Sequence, residues 1–265
     1  MTCRHGRVDI LLPVIADATV RPVRPKRAFQ RSSNPREGTL NIRNLLAGIA
    51  VAVSLAACQT APQNPIALKK DALATGKGRV AVAMHTAAPD LYLPGAGCLL
   101  CLGAATIANS SLNTYAKTMK VDELVQVKAE IVEMLRKKGI DAVALDAQLD
   151  LGNLPDLKLG TDMATKDFSS VAKGYDHLVV VNVQQIGFVR NYAAYVPTSD
   201  GKATVQALAF MVDLKSNAYE WFDHVTITRS ADGAWDEAPA FPGLTNAYFQ
   251  AIEQAKDEIK KPFAQ

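Results

Sequence analysis

The 265-residue chain is 49% hydrophobic, 21% charged and 6% aromatic, with a formal net charge of +3. That composition excludes a collagen-like, mucin-like or wholly disordered polypeptide, and the length admits about one or two domains. The charge is uneven: residues 1–57 carry nine Lys/Arg against three Asp/Glu, the remainder 20 against 23, so the body is mildly acidic and nucleic acid drops out as a partner.

Cys3 to Glu37 is rich in Arg and Pro, and its apolar stretch Ile10 to Ile15 is interrupted by Pro13. Residues 1–39 therefore read as a disordered extension, or as a gene-start artefact if translation begins at Leu40. Leu45 to Leu55 is then an uncharged, mainly apolar run of eleven residues. That is too short for a membrane-spanning helix of about twenty residues. It fits the hydrophobic region of a secretory signal, with Arg43 as its positive flank. Leu55-Ala56-Ala57-Cys58 follows directly and resembles the lipobox of bacterial lipoproteins. The resemblance implies a signal peptide over 40–57 and a diacylglyceryl group on the Cys58 thiol. Gln59, in the place where an inner-membrane retention signal has Asp, implies the outer membrane, facing the periplasm. Residues 58–78, with Pro62, Pro65, Gly76 and Gly78, are expected to form a tether.

The folded body is expected over 79–265. Arg79 to His85 predicts a strand bounded by Gly78 and Pro89. From 121 to 138 the spacing of Val121, Leu124, Val125, Ile131, Val132 and Leu135 predicts a helix that ends at Gly139. Lys128 interrupts its apolar stripe and is expected to reach past it to water. Ile140 to Leu145 predicts a strand, and Lys166 to Tyr175 a short helix. His177 to Tyr195 opens with Leu178-Val179-Val180-Val181, the pattern of a strand buried on both faces. Thr204 to Leu214 and Tyr219 to Thr228 complete an antiparallel meander. A last helix is expected over Thr245 to Lys261, capped by Thr245 or Asn246.

This order predicts one α/β (α+β) domain, helices covering a single mixed sheet, with a carboxyl-terminal meander and a terminal helix. In topology it resembles the small α/β domain of periplasmic envelope lipoproteins: the penicillin-binding-protein activators, the curli-secretion lipoprotein and the amino-terminal domain of the Tol-system β-propeller protein. No residue motif accompanies the resemblance, so no functional residue is carried over.

Leu91 to Ala116 contains no charged residue. Within it, Cys98 and Cys101 have C-x-x-C spacing, which in an oxidising periplasm predicts a disulfide. A thioredoxin-like thiol site is the alternative, since the pair follows a first strand and is placed to start a helix; but Leu99-Leu100 brings no polar group, and no Trp precedes Cys98. The apolar run is otherwise a contact for a membrane or a partner protein. His85, His177 and His224 form no recognisable constellation, and no metal or cofactor is expected. Aromatic residues crowd the carboxyl-terminal third, either as sheet core or as a contact rim around Arg190, Tyr192 and Trp235. The expected role is binding: an outer-membrane-anchored accessory factor in envelope assembly or secretion, contacting another envelope protein. A thiol–disulfide redox protein and a structural subunit of a lipoprotein complex are the alternatives.

Overall fold

A computed structural model describes residues 63–74, 78–157 and 160–264. The chain divides into two units, 1–60 and 61–265, and the described residues all belong to the second. The expected extension, the signal peptide and Cys58 lie outside the described residues.

The central sheet has six strands in the order β3-β1-β4-β7-β8, with β2 on the same edge of β4 as β1. β1 (Val80–Thr86) runs parallel to both β3 (Ala142–Ala144) and β4 (His177–Val189), and β2 (Asp90–Tyr92) also runs parallel to β4, against Gly187 to Val189. β7 (Lys202–Asp213) and β8 (Tyr219–Ser230) continue antiparallel. The sheet is therefore mixed, as the element order implied.

Alternation along β4 divides the core. Val179, Val181 and Val183 face one large core beneath the helices, while Leu178 and Val180 face a smaller one with Phe168, Phe210, Tyr219 and Phe222. The large core is closed by α3 (Asp122–Val125), α4 (Val127–Lys137) and α5 (Pro242–Ala264). Leu124, Ile131, Val132 and Leu135 are buried there, and so are Tyr248, Ala251, Ile252, Ala255 and Ile259. Most of the carboxyl-terminal aromatics are sheet core.

Several local expectations are corrected. The helix expected over 121–138 is broken at Gln126 into α3 and α4. Lys128 does not reach past the stripe to water; its ammonium donates to the Leu145 carbonyl at the end of β3, which satisfies a charge placed beside the sheet. Lys166 to Tyr175 is a series of turns. The Asn217 side chain donates to the Ala164 and Lys166 carbonyls and accepts from the Phe168 N–H, taking groups that a helix needs. The terminal helix starts earlier than its expected cap, at Pro242, whose fixed φ suits a first turn. Thr245 instead turns its hydroxyl back onto Phe241 O at 2.9 Å.

The strand expected to continue to Tyr195 ends at Val189. Beyond it, β5 (Tyr192–Ala193) and β6 (Val196–Pro197) form a separate small hairpin. Part of the stretch expected as a tether is laid along β8. Ile66 exchanges two backbone hydrogen bonds with Phe222 (2.7 and 3.0 Å), the Lys69 N–H donates to Glu220 O (3.0 Å), and Ala72 is buried.

Candidate functional site

Two helices occupy the uncharged stretch: α1 (Leu99–Ala108) and α2 (Ser110–Ala116). Cys98 and Cys101 are joined by a disulfide. Cys98 is the N-cap of α1, and its sulfur accepts from the Cys101 N–H at 2.9 Å. The bond thus ties the cap to the first turn of the helix it starts. A helix starting at the cysteine pair is expected from the sequence only under the thiol-site alternative; its length is not, because α1 has no polar face to set a period, and α2 (Ser110–Ala116) is too short to show one. The absence of charge was the available signal, and it pointed to the right segment without revealing its form.

The residues of α1 are distributed in reverse of the usual globular pattern. Its buried positions are small, Cys101 and Ala105, packed on Ala96 and Tyr192. Its large aliphatics face water: Leu99 is 87% exposed, Leu100 85% and Ile107 77%, and Leu102 is also exposed. Fully burying one such side chain is favourable by about 1.5–3 kcal/mol, so the face is a strong contact surface left open. Beside it the β5–β6 hairpin exposes Tyr195 and Val196. The hairpin is fixed to the α1 lead-in by Tyr192 N–H to Pro94 O (2.8 Å) and Ala194 N–H to Gly95 O (3.1 Å). Gly95 has φ +89°, and a Cβ there would lie 1.8 Å from the Tyr192 carbonyl oxygen, so the approach requires glycine.

Beneath this surface Arg190 joins the other two residues expected at a contact rim, Tyr192 and Trp235. Asn109, buried between α1 and α2, donates to Tyr192 Oη (2.6 Å) and Ala105 O (2.7 Å), and its Oδ1 accepts from Arg190 Nη1 (2.8 Å). The Arg190 guanidinium stacks over Trp235 at 4.5 Å and donates from Nε to Ser199 O at 3.2 Å. Tyr192 is buried and supports α1 from below, whereas Arg190 and Trp235 are half-buried at the margin. Sequence reasoning names these three residues for a contact rim and does not name Asn109, which bonds both Arg190 and Tyr192.

The other end of the sheet holds a second polar group. His177 Nδ1 lies 2.7 Å from Glu220 Oε2, and Asp213 faces His177 across the β4–β7 ladder. One ligand atom from each lies within 4.8 Å of the others, an arrangement with the donors for a metal ion. Burial alone would push the Asp213 carboxyl up, but hydrogen bonds from Ser216 and the nearby His177 hold it below the ordinary value. His85 binds the Leu149 carbonyl and His224 the Gln63 carbonyl, both structural attachments. Among the described residues no helix is long and apolar enough to cross a membrane.

No protein-family model matches the chain, and no curated relative matches it. Its fold is loosely similar to several solved structures. A PelC dodecamer from Paraburkholderia phytofirmans is 12% identical over 76% of this chain and 94% of that one, with a TM-score of 0.34. Protein XCC0632 from Xanthomonas campestris, of the DUF330 family, is 14% identical over 74% and 90%, with a TM-score of 0.35. Lipoprotein GNA1162 from Neisseria meningitidis is 12% identical over 66% and 99%, with a TM-score of 0.30. At these values no residue role carries across.

Proposed function

We propose that this protein is a lipoprotein held at the periplasmic face of the outer membrane through Cys58, acting there as a binding or accessory factor in envelope assembly or secretion. The anchor rests on the order of residues in the sequence: a positive flank, an uncharged apolar run, then Leu55-Ala56-Ala57-Cys58. The binding role is carried by one observation, the open aliphatic face of α1. Large apolar surface left in water marks a contact site, and a disulfide-tied helix pinned by Asn109 is a rigid element on which to present it. In this reading Cys98 and Cys101 serve as a structural clip, and Arg190, Tyr192 and Trp235 brace the margin of the contact.

Metabolic labelling with a palmitate analogue tests the anchor. The wild-type chain is expected to take up label and sediment with membranes, while Cys58→Ser remains unlabelled and unprocessed. Equal labelling of the two would overturn the assignment.

A further inference from the structure

We infer that the exposed ridge of α1, with the tip of the β5–β6 hairpin, rests in the headgroup region of a lipid bilayer, so that the domain lies against the membrane by a second, non-covalent contact. The inference deepens the proposed function and rests on it for the membrane's proximity. It combines the chemistry of the surface with the direction of the chain that leads to it.

The chemistry is that of an interfacial element. Leu99, Leu100, Leu102 and Ile107 project from one uncharged helix, and Tyr195 and Val196 stand beside them. No charged residue occurs from Leu91 to Ala116 or from Asn191 to Ser199. Aliphatic residues that enter the acyl boundary, with a tyrosine at the headgroup level, are the composition that a bilayer interface selects. The polar residues exposed in these two segments, Ser110, Ser111, Thr114, Asn191 and Thr198, are all uncharged, so the apolar ridge has no charged group within its own segments to hold it off the acyl boundary.

The direction comes from the strap along β8. Read backwards from Lys69, opposite Glu220, to Gln63, bound by His224, the chain climbs toward the carboxyl end of β8. β8 and β4 run the same way, each antiparallel to β7. The carboxyl end of β4 pairs with β2 and leads into the β5–β6 hairpin, beside α1. Gln63, where the described strap begins, therefore lies nearer than Lys69 to the end of the sheet at which the ridge is exposed. Five Cα-to-Cα steps separate Gln63 from Cys58, a covalent reach of at most roughly 18 Å. With the proposed lipid on Cys58, that covalent reach from Gln63 keeps the membrane close enough for the ridge to touch it.

The test uses a chain beginning at Gln59, which carries the entire described sheet and cores but neither signal peptide nor lipid. Vesicles of phosphatidylethanolamine and phosphatidylglycerol, with acyl chains brominated near the headgroup, serve as the probe. A tryptophan at the ridge (Leu100→Trp) is expected to be quenched. One at the opposite end of the sheet, in the β7–β8 turn (Lys215→Trp), is expected to add emission that brominated lipid leaves unchanged, once the signal of the native Trp221 and Trp235 in the parent chain is subtracted. The double variant Leu99→Glu/Leu100→Glu is expected to lower vesicle partition at least about tenfold with an unchanged melting temperature, since both side chains are exposed. No partition of the parent chain, or equal quenching at both positions, would overturn the inference. So would an oligomer in sedimentation velocity that the double variant dissolves, without vesicle binding, because the ridge would then meet a second copy. Because this chain has no lipid, its failure to bind leaves the labelling result at Cys58 standing, and the converse holds as well.

Discussion

Asn109 shows how much one polar side chain determines at this site. Its amide bonds to a helix carbonyl and to a phenol, its carbonyl accepts from a guanidinium, and it ends one helix as it begins another. Asn109→Ala would leave the buried Tyr192 hydroxyl without this partner and take one acceptor from the half-buried Arg190, which costs about 1–3 kcal/mol. A lower melting temperature is expected, together with faster amide exchange in α1 and α2 relative to the sheet. Exchange that accelerates uniformly would show that the pin is not local. None of this is visible in the sequence. Asn109 has no neighbour in a motif, and its partners lie about eighty residues further along the chain.

Elements were legible where burial imposes a period. β4, β7, β8, α4 and α5 follow from their alternating or helical apolar spacing, because each packs at least one face against a core. α1 offers no such signal. A helix apolar all round resembles a buried strand or a signal segment in sequence, and only the three-dimensional structure shows that its small residues face inward. The β5–β6 hairpin was missed for another reason: it is held by contacts with Pro94 and Gly95, distant in sequence. The C-x-x-C spacing, by contrast, identified the disulfide, and its position at the start of α1 gives it a measurable effect. Cys98→Ser/Cys101→Ser is expected to lower stability by about 2 kcal/mol on the chain-entropy model, with the loss of exchange protection confined to α1. A helix that retains its protection would show that the clip is dispensable.

At the scale of the whole molecule, α4 and α5 are joined by an ion-pair cluster. Glu130 accepts from Lys256 at 3.0 Å and from Lys260 at 2.7 Å, with Lys256 buried. Burial would push the Glu130 carboxyl up, yet the two lysines outweigh it and hold it below its ordinary value of 4.5. A depressed folded-state pKa contributes stability that is present above the unfolded value and lost as pH falls through the folded one. Thermal melts from pH 6 down to about pH 3 should therefore show an acid-side loss in the wild type that is shallower in Glu130→Gln. Parallel curves would remove Glu130 from the account of acid unfolding. The same variant is expected to be less stable at neutral pH, because Lys256 keeps its burial and loses a counter-charge.

The strap along β8 has a mechanical meaning for a body attached by its amino-terminal side. Three backbone hydrogen bonds to Phe222 and Glu220 and one from His224 fasten it, and none of them belongs to the sheet's own ladders. A pull from that side loads these few bonds before any strand pairing. Peeling Gln63 to Ala72 away would pay out roughly 33 Å of leash while the sheet stays whole, so the domain has two standing heights above whatever holds it.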